Sequence, residues 1–349
     1  MRAFAYLSQG QAGWIEKEIP KPTGVDGVIR PLLVAPCTSD VHNVAINCLA
    51  PHRILGHEGL GEIVAVGEGV KDFQVGEIVV VPPVTPDWRT VPSQLGAHQH
   101  CSGLITGQKL SNSEDGLMAE YALIRDLDAN AARIPPGVSW EGAVMAADML
   151  NTGLYGAQLA DVQPGDTVVV MGVGPVGLMA IAGARLRGAG RILAIGSRKA
   201  GVELAKFYGA TDVLNYKEGD VTRQVYALTD KQGADCCICA GGGTEALGQA
   251  VAMVRWGGTV GNVNYFTTYG DLPINNVRYG FGMGNKTIRG GECPGGRGRM
   301  EKLLALLRYV RVDPVPLITH RFQGLGQVEA AFRLMAEKPP ELVKAVVAL

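Results

Sequence analysis

The stretch Thr167–Arg198 reads TVVVMGVGPVGLMAIAGARLRGAGRILAIGSR. Its first run, Thr167–Met171, is rich in β-branched residues and is typical of a buried parallel strand. A G-x-G-x-x-G pattern follows at Gly172, Gly174 and Gly177, and then come an Ala- and Leu-rich helical segment and a second apolar run. The stretch therefore predicts a strand–helix–strand unit whose glycine turn binds the pyrophosphate of a dinucleotide at a helix N-terminus.

Each position of the motif has a role in such a turn. Gly172 allows the tight turn, Gly174 gives a pyrophosphate close access to the backbone, and Gly177 lets the helix pack against the strand. Pro175 and Val176 lie between these glycines and belong to the same candidate cofactor site. A glycine-rich turn in some other α/β protein is an alternative, but the strand before the motif and the helix after it favour a dinucleotide site.

The end of the second strand indicates which dinucleotide binds. An NAD site usually has an Asp or Glu there, about 20 residues after the motif, to hold the adenosine ribose hydroxyls. This chain has Gly196, Ser197 and Arg198 instead, without an acid. Gly196 would leave room, Ser197 would donate a hydrogen bond, and Arg198 would pair with a 2′-phosphate. Basic residues also occur at solvated helix starts, but the missing acid favours NADP(H).

Length and composition exclude several classes of protein. The 349 residues predict two domains, at about 150 residues per domain. The net charge is −1 without a basic tract, so no nucleic-acid partner is expected. No apolar run approaches the roughly 20 residues that span a bilayer, and the N-terminus lacks the apolar region of a signal peptide. Seven scattered cysteines favour a reducing compartment, so we expect a cytoplasmic protein without a membrane partner.

The sequence divides into two kinds of pattern. Up to about residue 150, short β-like runs alternate with Gly and Pro, which predicts a mostly antiparallel, barrel-like domain with a long loop from Pro82 to Asp115. After the glycine motif, strand and helix signals alternate and predict a doubly wound parallel sheet. Two C-terminal helices and a last strand, Val343–Ala348, are expected to rejoin the first domain. The predicted domains are residues 1–151 with 293–349, and residues 152–292.

Metal-capable side chains occur in apolar or glycine-rich surroundings of the first domain. They are Cys37 after a strand, the pair His57 and Glu58, and Asp148 in a predicted helix over Ser139–Gly153. A thiolate, an imidazole and a carboxylate suit Zn²⁺, and three protein ligands leave a fourth position for substrate. Alternatively, Cys37 is a small buried hydrophobe and His57 with Glu58 is a surface pair. Asp148 is harder to dismiss, because a buried carboxylate needs a cation or donors.

The chain resembles the zinc-dependent medium-chain dehydrogenases, most closely the bacterial and protozoal NADP-dependent secondary alcohol dehydrogenases. The resemblance covers nearly the whole length and rests on short segments spread along it: APCTSDVH (35–42), ILGHEG (54–59), TPDWRT (85–90), HQH (98–100), GVGPVGLMA (172–180), GAGRI (188–192), GSR (196–198), VNYF (263–266) and CPGGRGRM (293–300). It implies a GroES-like catalytic domain followed by a Rossmann cofactor domain.

The resemblance also implies roles for particular residues. One catalytic Zn²⁺ per chain would be bound by Cys37, His57 and Asp148, with Glu58 as an alternating or outer ligand. Hydride would pass between nicotinamide C4 and a secondary alcohol or ketone, and the proton would leave through a relay of Ser39 and His42. The cofactor residues implied are Gly196, Ser197, Arg198 and Tyr216 around the 2′-phosphate, together with Asn264 and Tyr265.

Two further implications concern metal content and assembly. Many relatives carry a structural zinc on four closely spaced cysteines, whereas the matching loop here holds only Cys101, so we expect no structural zinc. The related enzymes are homotetramers, which implies a homotetramer here.

Two other functions are compatible with the fold: a zinc-free quinone or enone reductase on the same scaffold, and a non-catalytic NADP-binding structural protein. The metal set with Ser39 and His42 disfavours both.

The chain departs from its relatives at positions expected to line the substrate pocket. Gln108 replaces Trp of the family pattern, Glu292 replaces Leu beside Cys293, and two residues are missing before Ile54. Because buried polar groups need polar partners, these changes predict a substrate with a second polar group, such as a hydroxyketone, diol or keto-ester. Alternatively, Glu292 points to solvent and the pocket is wider.

Overall fold

A computed structural model of the chain describes residues 1–266, 270–276 and 280–349. They fold into two compact units, Met1–Asp148 with Pro294–Leu349, and Met149–Cys293. Over the described residues, no helix has both the length and the apolar character needed to cross a membrane.

The first part of the chain consists mainly of short strands. These are β1 (Arg2–Ser8), β2 (Gln11–Glu16), β3 (Gly27–Val34), β4 (Gly59–Val66), β5 (Ile78–Val81), β6 (Ala122–Ile124) and β7 (Ala132–Arg133). The helices are brief: α1 (Thr38–Ile46), α2 (Val91–Gln94), α3 (Leu127–Asn130) and α4 (Trp140–Met145). The long loop predicted between Pro82 and Asp115 contains α2 and one 3₁₀ turn, His98–His100.

The second unit alternates strands and helices. Its strands are β8 (Thr167–Met171), β9 (Arg191–Ile195), β10 (Asp212–Leu214), β11 (Ala234–Cys239), β12 (Val254–Asn262) and β13 (Thr287–Gly290). Its helices are α5 (Asn151–Leu159), α6 (Pro175–Leu186), α7 (Lys199–Tyr208), α8 (Val221–Leu228) and α9 (Ala246–Met253). The strands form one parallel sheet in the order β10-β9-β8-β11-β12-β13. The order reverses beside β8, as in dinucleotide-binding folds, and the predicted doubly wound sheet is confirmed.

The C-terminal segment completes the sheet of the first unit. It contains α10 (Arg297–Arg308), β14 (Ile318–Gln323), α11 (Val328–Glu337) and β15 (Lys344–Ala348). The sheet order is β14-β15-β3-β4-β5-β7, with β6 also paired to β3. Every pair is antiparallel except β14 with β15. The predicted mostly antiparallel architecture is therefore confirmed, and buried apolar residues of β3, β4, β5 and β15 share its core.

The helix predicted over Ser139–Gly153 is interrupted. Ser139 is the N-cap, since its Oγ accepts a hydrogen bond from Gly142 N at 3.1 Å, but α4 ends at Met145. A π-helical turn, Ala146–Leu150, follows before α5 begins. Such turns are rare and frequently occur at functional sites, and this one carries Asp148.

Five strands lie outside the sequence prediction, namely β1, β6, β7, β13 and β14. β1 contains alanines, which are poor strand formers, and it is recognised through its antiparallel pairing with β2. β13 is a four-residue edge strand with mostly exposed side chains, so it lacks the apolar run that marks the other strands of its sheet.

Candidate metal centre and cofactor turn

Four side chains of the first unit converge. Cys37, His57, Glu58 and Asp148 each offer a ligand atom, and these atoms all lie within 4.8 Å of one another. Cys37 directly precedes α1, His57 and Glu58 precede β4, and Asp148 lies in the π-helical turn. The structure thus brings together all four residues that the sequence identified as metal-capable.

The orientation of His57 is set by a buried carboxylate. Nδ1 of His57 lies 3.2 Å from Oδ1 of Asp40, which is fully buried. Asp40 also accepts hydrogen bonds from Ser111 Oγ at 2.6 Å and from the backbone N–H groups of Cys37 and Gly56, both at 3.3 Å. Burial raises the pKa of the Asp40 carboxyl, but His57 and these donors outweigh it and hold the pKa below its usual value. Burial lowers the pKa of His57, but the charge of Asp40 and the hydrogen bonds with Asp148, Asp40 and Cys37 outweigh it and raise that pKa well above its usual value. Asp40 therefore holds the Nδ1–H of the ring, and a metal bound at Nε2 would take the place of the second ring proton.

Nε2 of His57 faces the other members of the cluster. It lies 3.3 Å from Ser39 Oγ, 3.6 Å from Asp148 Oδ2 and 3.9 Å from Glu58 Oε1. Nε2 is therefore directed at the point where the potential ligand atoms converge, which is the arrangement that an imidazole metal ligand requires.

The cluster also contains one buried cation, Lys344. Its Nζ lies 2.5 Å from Glu58 Oε1, and the two side chains are 1% and 0% exposed. Burial raises the pKa of the Cys37 thiol, yet the charge of Lys344 and the hydrogen bond with His57 outweigh it and lower that pKa to about 7. A substantial thiolate fraction is thus present near neutral pH, and the thiolate is the form that binds metals.

The donor set fits Zn²⁺. Sulfur, nitrogen and carboxylate oxygen ligands at one buried point are the set that zinc prefers. In the described part of the chain, Glu58 Oε2 is a buried oxygen that lacks a hydrogen-bond partner. Burial raises the pKa of Glu58 well above its usual value despite the nearby Lys344, because Cys37 and Asp148 add negative charge. A divalent cation bound among Glu58, Cys37 and Asp148 would offset the repulsion between their negative charges.

Ser39 and His42 lie three residues apart on α1, so their side chains share one face of the helix. Ser39 Oγ lies 3.3 Å from Nε2 of His57 and is therefore in contact with the cluster. Burial, with the positive charge of Lys338, lowers the pKa of His42 below its ordinary value. His42 is therefore a neutral imidazole at neutral pH, able to accept a proton.

The glycine turn of the second unit has the geometry its motif predicts. Gly172 adopts φ +98°, which favours glycine. A Cβ on Gly177 would lie 2.0 Å from the carbonyl oxygen of Gly172, so helix α6 approaches the turn too closely for any side chain. Gly174 is the N-cap of α6 and Pro175 its first residue, and Val176 follows. A Cβ on Gly174 would meet nothing nearer than Nη2 of Arg198 at 3.6 Å. The space next to Gly174 is therefore open and lies beside the guanidinium of Arg198.

Packing against Val173 explains why position 196 is a glycine. A Cβ there would lie 2.2 Å from Cγ2 of Val173, so the residue must be glycine whether or not a phosphate binds nearby. Ser197 and Arg198 follow, and Arg198 is the N-cap of α7. Tyr216 is 55% exposed at a 3₁₀ turn after β10.

The remaining predicted cofactor residues follow β12. Asn264 donates from Nδ2 to the carbonyl of Gly242, which follows β11, at 3.1 Å. Tyr265 is 46% exposed. The loops after β11 and β12 therefore meet at the carboxyl edge of the parallel sheet, where such folds bind ligands.

The three residues predicted to face substrate are divided between the two units. Gln108 belongs to the first unit, and its carbonyl accepts from Asn112 Nδ2 at 3.0 Å. Cys293 Sγ accepts a hydrogen bond from Asn151 Nδ2 at 3.3 Å in the second unit. Both carboxylate oxygens of neighbouring Glu292 are shielded from solvent, which disfavours the alternative in which Glu292 points outwards. That the three line one pocket stays a prediction.

Ring stacking and hydrogen bonds hold the loop that contains Cys101. His98 stacks on Trp88 with ring centroids 4.8 Å apart, and its Nε2 accepts from the backbone N–H of Gly295 at 3.2 Å. Cys101 Sγ lies 3.5 Å from the carbonyl oxygen of Thr106. Over residues 1–266, 270–276 and 280–349, the Cys37 cluster is the one group of three or more potential metal ligands. The expected absence of a structural zinc stays a prediction.

Three residues of the site were not identified from the sequence. Asp40 and Ser111 orient His57, and Lys344 pairs with Glu58. Asp40 follows Cys37 closely in CTSD, which offered a weak signal. Lys344 is a charge within the apolar run VKAVVA, and a buried charge implies a partner. Ser111 gives no such signal, because loop serines are common.

Comparisons with known proteins agree with this geometry. Residues 25–136 match the family described as alcohol dehydrogenase GroES-like domain, and residues 175–308 match the zinc-binding dehydrogenase family. Over 351 aligned residues, the chain is 52% identical to an NADP-dependent isopropanol dehydrogenase of Thermoanaerobacter brockii and 51% identical to one of Clostridium beijerinckii. In both cases all of each chain is covered.

Solved structures give the same result for the fold. The alcohol dehydrogenase TADH from Thermus sp. ATN1 superposes with a TM-score of 0.87 at 29% identity, covering 100% of this chain and 99% of the other. A zinc-dependent alcohol dehydrogenase 2 from Streptococcus pneumonia gives a TM-score of 0.88 at 26% identity, with 100% and 98% covered. Both units of the chain thus have counterparts in these structures.

Proposed function

The chain belongs to the family of zinc-binding dehydrogenases with a GroES-like domain, and on this premise we propose that it is an NADP-dependent alcohol dehydrogenase that interconverts secondary alcohols and ketones. The observation that carries the proposal is the convergence of Cys37, His57, Glu58 and Asp148 at one buried point. A zinc-free quinone or enone reductase has no use for such a ligand set. The identity to two NADP-dependent isopropanol dehydrogenases supports the same activity.

Cys37, His57 and Asp148 are the residues that would hold one Zn²⁺. Bound there, zinc supplies a Lewis acid that polarises a substrate oxygen. Asp40 keeps the Nδ1 proton of His57 in place, so that Nε2 stays available to the metal. The buried position of Cys37 and His57 excludes bulk water, which strengthens the electrostatic interactions within the site.

Ser39 and His42 would move the proton. Ser39 Oγ lies at the edge of the cluster, where it can accept the proton of a substrate hydroxyl. His42, on the same face of α1, has a lowered pKa and can receive that proton as a neutral base at Nδ1 or Nε2.

The second unit would hold NADP(H). The cofactor supplies the hydride acceptor and donor. The turn from Gly172 to Gly177 presents backbone N–H groups at the start of α6 to the pyrophosphate. Arg198 lies beside the open space at Gly174, and with Ser197 and Tyr216 it would surround the 2′-phosphate. Asn264 and Tyr265 complete the proposed cofactor site.

Further features are proposed on the family resemblance. They are one zinc per chain without a structural zinc, a homotetramer, a cytoplasmic location, and functional domains of residues 1–151 with 293–349 and residues 152–292. The substrate would carry a second polar group, because Gln108 and Glu292 replace apolar residues of the family pattern.

Metal content and cofactor use test the proposal together. The purified protein is analysed for zinc, and NADPH and NADH oxidation are followed with a panel of small ketones. We expect one zinc per chain, ketone-dependent oxidation of NADPH, and much slower oxidation of NADH. A zinc-free protein whose activity resists chelators would contradict the metal assignment, and equal use of NADH would contradict the cofactor assignment.

A further inference from the structure

The HQH motif forms a 3₁₀ turn that binds two other segments of the first unit. Nε2 of His98 accepts a hydrogen bond from the backbone N–H of Gly295 at 3.2 Å. The carbonyl of the next residue, Gln99, accepts from the backbone N–H of Gly107 at 2.8 Å. One short turn therefore holds a segment near residue 107 and a segment near residue 295.

Both segments approach their neighbours too closely for a side chain. A Cβ on Gly107 would lie 2.8 Å from the Cα of Gln99, and a Cβ on Gly295 would lie 1.9 Å from the carbonyl oxygen of Val84. Thr85, which follows Val84, donates its N–H to the carbonyl of Gly107 at 2.9 Å. The backbone of Val84 and Thr85 thus contacts both glycine segments, as the 3₁₀ turn does.

An aromatic stack holds His98 in place. Its ring lies on Trp88 with centroids 4.8 Å apart and planes 28° apart. Trp88 donates from Nε1 to Oδ1 of Asn130 at 3.0 Å, and Asn130 is fully buried. Burial, with the positive charge of His100, lowers the pKa of His98. The ring is therefore neutral at neutral pH, and its Nε2 can accept a hydrogen bond.

The two glycine segments adjoin residues predicted to face substrate. Gly107 directly precedes Gln108, and Gly295 lies two residues after Cys293. We propose that His98 is a positioning residue for substrate binding, because its bond to Gly295 fixes segment 294–296 relative to Gln108. This inference rests on the proposed dehydrogenase activity and on the predicted substrate role of Gln108 and Cys293. It also gives the TPDWRT and HQH motifs a function.

A fixed segment favours substrate binding more than the chemical step. If segment 294–296 were loose, substrate would have to order it on binding, and this ordering would reduce the affinity. The same loss would apply to the bound substrate and to the transition state. KM should therefore rise while kcat stays close to its original value.

Three variants separate the hydrogen bond from ring stacking and from the stability of the loop. H98F keeps an aromatic ring for Trp88 but cannot accept the N–H of Gly295, whereas H98Q offers an amide oxygen near the position of Nε2. S93A is the matched control, because it removes a bond of the same loop that involves neither glycine segment, from Ser93 Oγ to the carbonyl of Asp87 at 2.6 Å.

Steady-state kinetics of the zinc- and NADPH-loaded enzyme measure the effect, with 2-butanone and 3-hydroxy-2-butanone as substrates. We expect H98F to raise KM about fivefold to tenfold, the scale of one lost hydrogen bond, with kcat and zinc content near wild type. H98Q should restore most of the loss in KM. S93A should lower the melting temperature and leave KM as it is.

Amide hydrogen exchange reports the same change without substrate. In H98F, peptides that contain segment 294–296 should exchange about tenfold faster, because the segment opens more often. In S93A they should exchange as in wild type. H98N takes the place of H98F if the latter does not fold, as judged by circular dichroism, because its shorter amide cannot reach Gly295.

The outcomes are distinguishable from those of the proposed function. Unchanged KM or unchanged exchange in the folded variant would overturn the role of His98 while leaving the dehydrogenase activity in place. A loss of kcat or of zinc would also overturn it, since His98 would then act on the metal site. An equal rise of KM in S93A would overturn it in favour of loop stability. A wild-type protein that reduces no ketone would overturn both proposals.

Discussion

Nδ1 of His57 lies 3.2 Å from Oδ1 of Asp40, and Asp40 is fully buried. The carboxylate contacts the side of the imidazole opposite the ligand cluster, and Ser111 and two backbone N–H groups hold it there. Asp40, which is not a member of the cluster, thus fixes the orientation of the imidazole and the direction in which Nε2 points.

Asp40→Asn should weaken zinc binding. The amide carries no charge to stabilise the Nδ1 proton, so the imidazole becomes a poorer and less fixed ligand, and a loss of about 10–100-fold in zinc affinity is expected. Competition with a fluorescent chelator measures it. Asp212→Asn serves as control, because Asp212 pairs with Arg191 in the other unit. Unchanged zinc affinity in D40N would show that Asp40 has a structural role alone.

His42→Gln should alter the pH dependence of catalysis. Burial and Lys338 lower the pKa of His42, so wild-type His42 is neutral above that lowered pKa and accepts the proton in alcohol oxidation. As the pH falls through that pKa, His42 becomes protonated and kcat/KM for oxidation should fall. Gln does not titrate, so H42Q should be slower by about 10²-fold or more near neutral pH and should lose this acidic limb. A profile of the same shape in H42Q would remove His42 from the relay.

The site was predictable where function depends on residue type and unpredictable where it depends on packing. Cys37, His57 and Asp148 were identified because thiol, imidazole and carboxylate groups are unusual in apolar surroundings. The glycine turn was identified because its spacing is tied to a strand and a helix. The π-helical turn that carries Asp148 could not be predicted from the sequence, because a single inserted residue does not disturb an apolar helical pattern. The requirement for Gly196 comes from Val173, a contact that only the folded turn creates.

Arg198→Gln should reduce discrimination between the two nicotinamide cofactors. If the guanidinium pairs with the 2′-phosphate, its loss should raise the Kd for NADPH by about 10–100-fold, since hydrogen bonds to charged groups contribute about 1.5–3 kcal/mol. The Kd for NADH should change little. Fluorescence titration measures both. Lys206→Ala removes an equal charge near the other end of α7 and should leave both constants unchanged. Equal weakening towards NADPH and NADH would show that Arg198 supports the turn rather than the phosphate.

Gly177→Ala should destabilise the second unit and abolish NADPH binding. The new Cβ would lie 2.0 Å from the carbonyl oxygen of Gly172, so α6 must move away from the turn. Overpacking of this kind costs about 1–3 kcal/mol. Thermal unfolding with and without NADPH measures the effect. Gly298→Ala is the matched control, because a Cβ there meets nothing within 4 Å and alanine favours helix α10. Full NADPH binding by G177A would contradict the assigned role of the turn.

Glu292→Leu should move the substrate preference towards simple aliphatic alcohols. Both carboxylate oxygens of Glu292 are shielded from solvent, so a substrate hydroxyl near them would gain a hydrogen bond that an aliphatic chain cannot form. We expect the wild type to favour a 2,3-diol over 2-butanol in kcat/KM, and E292L to lower that ratio by about tenfold or more. Gln108→Trp should act in the same direction if both side chains line one pocket. Glu203→Leu, an exposed change on α7, should leave the ratio as it is. A wild-type enzyme that strongly prefers 2-butanol would exclude the polar substrate class and leave Glu292 with a purely structural role.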